Sequence, residues 1–394
     1  MDDPARLDPL PLPAGITEDY IDCTASCGLT FHILRAGQPH HPLLLFTHGY
    51  PETAFSWRKV LPAIAAAGYH CIAMDQRGYG RTTGWNPNAS YHEADLTQYT
   101  LTNLVRDLIC LIHQLDYKTV HSIIGHDFGA VASATAALIR PDIFKSTIQM
   151  SHPYHPPPTP PSNNTPTPTR DPDIHTSLSQ LTPPRKHYKW YNSTPTAAND
   201  WAQPPQGLHA YLRGYFHVKS ASYAPNHSTR PLAAWTAEAL AQMPEYYIMP
   251  LDLSMPSTIA TLMQRNQNQK NASQETLSWL PDSDLDVYVG EWQRTGFQGA
   301  LNWYRAQTAS TPLAAKDMFL YAAKRLDVPC TFISGAQDWG NYQQPGALEG
   351  YEDVKVVAEG CFRGVRLVEG AGHWVQQEKP EEVVREVLDF LRGL

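Results

Sequence analysis

The sequence predicts an α/β fold in which a mostly parallel central sheet carries helices on both faces. Three observations lead to this class. Short apolar runs that end in glycine-bearing turns occur in "PLLLFTHGY", "YHCIAMDQRGYG" and "VHSIIGHDFGA". Helix-like stretches separate these runs, as expected for buried parallel strands joined by crossovers. The same pattern returns near the C-terminus in "VPCTFISGAQDWG" and "VRLVEGAGHW".

The helices between and after the strands have recognisable signals. "WRKVLPAIAAAG" ends on a glycine, a common helix stop, and "LTNLVRDLICLIHQLD" places apolar residues three and four positions apart. "PEEVVREVLDFLRGL" opens with proline and acidic residues, which the helix dipole favours at an N-terminus. These signals predict amphipathic helices packed on the sheet.

The middle of the chain differs in composition and predicts an insertion. It is rich in Trp, Tyr and polar helix formers, as in "GLHAYLRGYFHVKS". We therefore expect a core made of residues 1–150 and 322–394 and a helical cap at 151–321. The cap begins with a proline-rich segment at about 153–169, whose composition predicts a flexible excursion.

The composition and net charge of the chain limit the classes of molecule that it is expected to bind. The chain has 394 residues and a formal net charge of -8, which argues against binding to nucleic acid or to an anionic membrane surface. No run approaches twenty apolar residues, and the N-terminus is acidic and broken by prolines, so a cytoplasmic protein without a membrane span is expected. No spacing of His, Cys or Asp resembles a metal site, and no cofactor is expected. A small molecule is the predicted partner, and a homodimer is compatible with the sequence.

One predicted turn holds the candidate nucleophile. In "IIGHDFGA", Asp127 lies between Gly125 and Gly129 directly after an apolar run, a pattern typical of a tight strand-to-helix turn that displays one side chain. Such a turn commonly holds serine, and a simple helix N-cap is the alternative explanation for an aspartate. A carboxylate nucleophile suits an sp3 carbon that bears a leaving group, because displacement gives an alkyl ester.

Five stretches form a set around this turn. "HGYPE", "DQRGYG", "GHDFGA", "QDWG" and "GAGHW" follow one another so that nucleophile, acid and histidine occur in the order typical of an α/β-hydrolase. As a set they resemble the epoxide hydrolase branch of that fold, and fungal members in particular. The resemblance covers nearly the whole chain except the first dozen residues and the proline-rich segment. A role in secondary metabolism or detoxification is compatible with it.

The resemblance implies a role for each of several residues. Asp127 would attack the epoxide carbon, His373 would activate water to hydrolyse the ester, and Asp338 would orient His373. The backbone N–H groups of Tyr50 and Phe128 would stabilise the tetrahedral oxyanion. We expect His48, His126, Asp75 and Arg77 only to organise the neighbouring loops and to take no part in the chemistry.

The departing epoxide oxygen needs a proton donor, and the resemblance places it in the cap. "NWYR" supplies Tyr304, and "KHYKWYNST" supplies Tyr188, with Tyr191 and Tyr215 as alternatives to Tyr188. A phenol with a pKa near ~10 stays protonated at neutral pH and can donate as alkoxide develops. The aromatic residues expected to line a mostly apolar substrate pocket are Trp57, Trp339, Trp374, Tyr191 and Tyr215.

Other functions on the same fold stay open at this point. A haloalkane or haloacid dehalogenase shares the aspartate nucleophile, but halide departure often uses a tryptophan beside it, and that neighbour is Phe128 here. A serine-type esterase is disfavoured, because carboxylate attack on an acyl group would give a mixed anhydride. A catalytically quiet ligand-binding protein and a cyclase that opens an epoxide with a substrate hydroxyl are further alternatives. The sequence does not specify the substrate.

Overall fold

The structure is a computed structural model that describes residues 6–160, 173–265, 272–308 and 313–394. Most of the proline-rich segment expected at about 153–169 lies outside these ranges, which include only its part up to residue 160.

In the described ranges ten strands form two sheets, and the larger sheet has the predicted class. The strands are β1 (Ile16–Cys23), β2 (Leu29–Ala36), β3 (Leu43–Thr47), β4 (His70–Met74), β5 (Ser122–His126), β6 (Thr147–Met150), β7 (Arg185–His187), β8 (Ile248–Pro250), β9 (Cys330–Gly335) and β10 (Phe362–Val368). Eight of them pair in the order β1-β2-β4-β3-β5-β6-β9-β10. β2 is antiparallel to β1 and β4, whereas the pairs from β4 through β10 are parallel. The prediction of a mostly parallel sheet is confirmed.

Helices occupy both faces of this sheet and most of the region between β6 and β9. They are α1 (Thr24–Cys27), α2 (Leu61–Ala66), α3 (Leu101–Gln114), α4 (Phe128–Ile139), α5 (Ile174–Ser179), α6 (Tyr188–Tyr191), α7 (Ala197–Ala202), α8 (Leu208–Lys219), α9 (Ala237–Leu240), α10 (Met255–Arg265), α11 (Ala272–Trp279), α12 (Asp282–Thr295), α13 (Gln298–Thr308), α14 (Leu313–Met318), α15 (Val375–Glu378) and α16 (Pro380–Arg392). Short 3-10 turns lie at Ala54–Trp57, Leu96–Tyr99, Ala224–Ser228, Phe319–Tyr321, Trp339–Tyr342 and Glu349–Glu352.

The central strands of the sheet are buried on both faces because their successive side chains enter different apolar clusters. Leu45 of β3 packs in a cluster with residues of α3 and α4, whereas Leu44 and Phe46 pack in a cluster with α2 and α16. β3, β4, β5 and β9 are buried along their whole length, which explains why they appear as unbroken apolar runs. Within the described residues, no helix is long and apolar enough to cross a membrane.

The elements from α5 to α14, together with the antiparallel pair β7 and β8, form what we call the cap segment. It contacts the loops at the carboxyl edge of the sheet. The indole N–H of Trp292 donates to the carbonyl of Pro51 (2.9 Å), and Arg81 forms an ion pair with Glu291 (2.9 Å). The cap segment is thereby seated over the strand ends. The limits predicted for it, at residues 151 and 321, stay a prediction.

The carboxyl ends of the parallel strands lie at one edge of the sheet, where ligands bind in open α/β sheets. Loops that leave this edge carry the residues singled out in the sequence, namely Tyr50 after β3, Asp75 after β4, Asp127 after β5, Asp338 after β9 and His373 after β10. Residues far apart in the chain are thus brought to one place.

Candidate active site

Asp127 occupies a strained turn between β5 and α4. It is the single residue between the two elements, and its backbone has φ 53° and ψ -116°. An L-residue adopts such angles only at a cost on the order of 1–3 kcal/mol, and strain of this kind clusters at functional sites. A Cβ at Gly125 would lie 2.0 Å from the carbonyl oxygen of Gly129, and a Cβ at Gly129 would lie 2.1 Å from that of Thr47. The two glycines therefore allow the close approach that makes the turn.

The carboxylate of Asp127 faces backbone N–H groups. The N–H of Tyr50 donates to its Oδ1 (3.2 Å). Phe128 is the first residue of α4, so its N–H has no partner within the helix. Burial alone would raise the pKa of Asp127, but the interactions with His373, which is charged at the low pH where the carboxyl titrates, and with Lys219 and the N–H of Tyr50 hold that pKa below its ordinary value. Asp127 is ionised at neutral pH.

His373 and Asp338 meet beside this turn. Nδ1 of His373 lies 3.2 Å from both carboxylate oxygens of Asp338, and the N–H of Gly340 donates to Oδ1 of Asp338 (2.7 Å). Although burial opposes it, the interaction with His373 lowers the pKa of Asp338. Nε2 of His373 lies 3.8 Å from Oδ2 of Asp127. The structure thus brings together the three residues that the motif order had placed in one site.

His373 is an uncharged imidazole at neutral pH. Burial and the neighbouring charge of Lys219 lower its pKa, and Asp338 opposes them only in part. Its Nε2 makes no hydrogen bond to any residue of the part of the chain that the structure describes. An uncharged imidazole with a free Nε2 is the form that can take up a proton.

The two cap tyrosines lie over the same turn. The ring of Tyr304, on α13, is 4.6 Å from the ring of Phe128 and 5.5 Å from that of Tyr50. Tyr188, the first residue of α6, lies 5.9 Å from Tyr304, and its hydroxyl donates to Oε1 of Gln343 (2.9 Å). Burial and the charge of Asp127 raise the pKa of both phenols well above the ordinary value, so both stay protonated.

Four of the five predicted pocket residues lie in the aromatic cluster of the site, and the fifth does not. Trp339, Trp374 and Tyr215 belong to the aromatic cluster that contains both cap tyrosines. Tyr191 is in the same cluster, but its hydroxyl donates to Oδ2 of Asp200 (2.7 Å). Trp57 is placed elsewhere: it packs 5.2 Å from Phe46, in the cluster between the sheet and the helices α2 and α16.

Contacts of His126 and Glu52 connect the turn that holds Asp127 to the loop that carries His373. Nε2 of His126 donates to the carbonyl of His373 (2.7 Å), and its Nδ1 lies 2.8 Å from Oε2 of Glu52. Burial opposes protonation of His126, yet Glu52 raises its pKa above the ordinary value. Gln376 and Gln377 donate to the same carboxylate. Glu52 was not singled out in the sequence, where one acid in "HGYPE" carries no sign of burial.

The other loop residues also make bracing contacts. Nδ1 of His48 donates to the carbonyl of Gly49 (2.9 Å), while its Nε2 accepts from the N–H of Gln76 (3.2 Å). Asp75 accepts from the N–H of Ala54 (2.7 Å), and Arg77 pairs with Asp107 (2.7 Å). These contacts fix the loops that follow β3 and β4.

Lys219 is a second residue that the sequence did not indicate. It ends α8 and is 3% exposed, and its ammonium lies among four aromatic rings, those of Tyr188, Tyr215, Tyr247 and Trp374. The one signal that could have found it is its position four residues after Tyr215, which puts both on one face of the helix.

A cavity lies against α4. It measures about 260 Å³ and is lined by Val131 and Thr135 of α4, by His152 and Tyr154 after β6, and by Gln307 of α13. The imidazole of His152 interacts electrostatically with Asp127, which places the cavity near the turn. Within the described ranges, no group of three or more His, Cys, Asp or Glu side chains could hold a metal ion.

Comparison with known proteins agrees with this geometry. A family model described as the alpha/beta hydrolase fold matches residues 42–182. The chain is 30% identical to epoxide hydrolase A of Mycobacterium tuberculosis over 96% of this chain and 98% of that protein. It is 29% identical to an epoxide hydrolase of Caballeronia sordidicola over 93% and 92% of the two chains. The solved epoxide hydrolase from an endophytic Streptomyces superposes with a TM-score of 0.73 at 27% identity, covering 97% of this chain and 96% of that one.

The sheet order and the strained turn, with an acid and a histidine after the later strands, define an α/β-hydrolase. Within that class the chain belongs to the epoxide hydrolase branch, as its near full-length relatives establish. The family expected from the five sequence stretches is confirmed, whereas the special likeness to fungal members stays a prediction.

Proposed function

We propose that this epoxide hydrolase works through a covalent ester on Asp127, which water activated by His373 then hydrolyses to release a vicinal diol. The observation that carries the proposal is the ionised carboxylate of Asp127, displayed on a strained turn between an uncharged imidazole and two protonated phenols. Each of these groups has the protonation state that one step of such a reaction requires.

In the first step a carboxylate oxygen of Asp127 forms a bond to one ring carbon while the bond from that carbon to the epoxide oxygen breaks. The released electron pair stays on the oxygen, and Tyr304 or Tyr188 donates the proton that neutralises it. The position of the Tyr304 ring against Phe128, the neighbour of the nucleophile, supports this role. A halide leaving group would need no such proton, so the phenols favour an oxygen leaving group over dehalogenation.

In the second step Nε2 of His373 takes a proton from water, and the resulting hydroxide attacks the carboxyl carbon of Asp127. Negative charge then develops on Oδ1, which the N–H of Tyr50 already contacts at 3.2 Å. A preorganised donor at this point stabilises the tetrahedral intermediate. Collapse of the intermediate breaks the ester bond, and the departing alkoxide takes the proton of the new carboxylic acid, which releases the diol and restores the carboxylate of Asp127. The proton held by His373 returns to the tyrosinate.

The cap segment contributes the acids and the core contributes the nucleophile and base, so we propose that residues 151–321 act as one cap over the site. Besides Trp292 and Arg81, the indole N–H of Trp303 supports this: it donates to the carbonyl of Arg77 (2.9 Å) directly below α13. A site enclosed in this way excludes bulk water, which strengthens the electrostatic interactions inside it.

We propose a substrate with a mostly apolar body, because the residues around the turn are largely aromatic. The cavity of about 260 Å³ beside α4 would accommodate a substituent of moderate size. A panel of epoxides with graded apolar substituents, assayed for diol formation, tests this class. A homodimer is compatible with the proposal, and light scattering coupled to gel filtration would decide it.

The mechanism is tested by trapping the ester. His373→Gln removes the base for water while leaving Asp127 able to attack, so intact-protein mass spectrometry after addition of substrate should show an adduct of the substrate's mass. Asp127→Asn is the matched control and should show none. The absence of an adduct in a folded His373→Gln protein that still consumes epoxide would overturn the covalent mechanism.

A further inference from the structure

Lys219 places a buried positive charge inside the active site. Its side chain ends α8, and only 3% of the residue is exposed. A lysine normally extends its ammonium to water, since an ammonium without partners is costly to bury. Neighbouring groups must therefore compensate the charge that is buried here.

Aromatic rings provide part of the compensation. Nζ of Lys219 lies 4.7 Å from the ring centroid of Tyr247, 5.2 Å from that of Tyr215, 5.6 Å from that of Trp374 and 5.9 Å from that of Tyr188. Cation–π attraction at such distances is stronger when the cation is desolvated. The four rings also confine the side chain to one direction.

The backbone of the same residue is bonded to the catalytic histidine loop. The N–H of His373 donates to the carbonyl of Lys219 (2.9 Å). A Cβ on Gly372 would lie 2.6 Å from that carbonyl oxygen, so only glycine allows this contact without displacement. Glu378 completes the junction by accepting from the N–H groups of Gly372, Trp374 and Ala221 at 2.9–3.0 Å. The ammonium is thus held at a fixed position relative to the imidazole.

The charges that face Lys219 come from several elements. Asp127 after β5, Asp338 after β9 and Glu52 after β3 attract its ammonium, and Lys189 of α6 repels it. Burial lowers the pKa of Lys219 to about 8, and the three carboxylates keep it from falling further. The ammonium is therefore charged at neutral pH.

His373 is surrounded by several of the charged groups that also act on Lys219. Asp338 and Asp127 favour the imidazolium, whereas Lys219 and His126 disfavour it. Glu378 binds the backbone on either side of His373. Among these groups, Lys219 opposes the imidazolium most strongly after burial itself.

We propose that Lys219 is a positioning residue for the hydrolytic reaction, whose fixed ammonium keeps Asp127 charged for attack and His373 uncharged for deprotonation of water. The inference rests on the proposed roles of Asp127 and His373. Its physical basis is that a nearby cation stabilises a carboxylate and destabilises a second cation. Without the ammonium, a proton would be taken up more readily by both groups.

Three variants separate this role from packing. Lys219→Met keeps the stem without the charge, Lys219→Gln is a second neutral side chain in case the first does not fold, and Lys219→Arg keeps the charge. Lys186→Met is the matched control, because Lys186 also lies over a tyrosine ring, that of Tyr191 (5.1 Å), but the carboxylates that act on it are Asp252 and Asp200 and not those of the active site. Circular dichroism checks that each variant is folded.

The readout is the rate at which the alkyl-enzyme ester disappears as a function of pH, followed by quenched-flow mass spectrometry. We expect the acidic limb of this profile to move to higher pH by about one unit in both neutral variants. Lys219→Arg and Lys186→Met should keep the wild-type limb. A loss of rate equal at every pH, with the limb unmoved, would assign Lys219 to packing and overturn the inference. If no ester forms even in the wild type, the proposed mechanism fails instead, so the two failures are distinguishable.

Discussion

Nε2 of His373 lies 3.8 Å from Oδ2 of Asp127, beyond hydrogen-bonding distance. In a hydrolase with a serine nucleophile, the histidine must contact the hydroxyl that it deprotonates. A carboxylate nucleophile has no proton to lose, and Asp127 is already ionised. The separation therefore fits a histidine whose proton donor is water, in the second step, and not the nucleophile in the first.

The two cap tyrosines should act in ring opening alone. We expect Tyr304→Phe and Tyr188→Phe each to slow formation of the alkyl-enzyme ester by about 10²-fold or more, because each removes a positioned proton donor. Hydrolysis of an ester already formed should change little. Single-turnover experiments that follow the ester by mass spectrometry separate the two steps.

Tyr191→Phe is the matched control for this experiment. The hydroxyl of Tyr191 donates to Asp200 instead of facing the turn, so its loss should leave ring opening within a few-fold of the wild type. A larger effect of Tyr191→Phe than of Tyr188→Phe would reassign the second acid.

Ester hydrolysis should stay fast at mildly acidic pH. Burial and Lys219 lower the pKa of His373 below the ordinary value of 6.5, so the imidazole remains uncharged as the pH falls through that value. We expect the acidic limb of the ester-hydrolysis profile to have its midpoint below pH 6.5. A midpoint clearly above this value would mean that Asp338 outweighs burial at the site.

Replacing Gly129, two residues after the nucleophile, by a larger residue should destabilise the protein. Gly129→Ala puts a Cβ 2.1 Å from the carbonyl of Thr47, so α4 and β3 would have to move apart. We expect a loss of about 3 kcal/mol in the free energy of unfolding in urea. The same substitution at Gly290, an exposed position of α12 with no atom within 4 Å, should instead stabilise the protein by about 0.5–1 kcal/mol. Equal effects at the two positions would contradict the close-approach argument.

The buried ion pairs of His32 should make the free energy of unfolding fall as the pH rises into the alkaline range. Nδ1 of His32 lies 2.7 Å from Asp75 and its Nε2 lies 3.0 Å from Glu18. Burial opposes the charge, but the two carboxylates raise the pKa of His32 from 6.5 to about 9. The stabilisation is therefore complete below pH 6.5 and is lost as the pH rises towards 9.

The wild type should accordingly lose about 3 kcal/mol of unfolding free energy between these two pH values. His32→Gln should lower stability at pH 6.5 and flatten the profile, as measured by urea unfolding at each pH. His209→Gln, at a half-exposed histidine near Asp282, is the control and should leave the slope unchanged. A wild-type slope that persists in His32→Gln would assign the pH dependence to other groups.

The fold was predictable where strands are buried on both faces. β3, β4, β5 and β9 lie within four of the five apolar runs singled out in the sequence. The fifth run covers only residues 365–368 of β10, a strand whose alternate side chains are exposed. β1 and β2 were not among them, because this hairpin at the sheet edge carries charged pairs such as Arg35 and Asp19. β6 is short and contains Gln149, whose buried side chain accepts from Tyr351 (3.0 Å), so its apolar run is interrupted.

The site residues could be predicted where the backbone geometry or the order of the strands requires a particular residue type at a particular position. The glycines around Asp127 and the order of the acid and the histidine follow from such demands. Lys219 and Glu52 were not found, because a charged residue in an amphipathic helix or a loop normally faces water. Only the packing of distant elements makes their charges part of the site, and only the packed structure separates Trp57 from the cluster that holds Trp374.

The most direct test of the account is a single turnover of the wild-type protein in oxygen-18 water. Water attacks the carboxyl carbon of Asp127 in the proposed second step, so the label should enter the Asp127 side chain and appear in the peptide that contains it. Diol formed in that first turnover should take its new oxygen from the unlabelled carboxylate. Label found in the diol and absent from Asp127 would contradict the covalent mechanism.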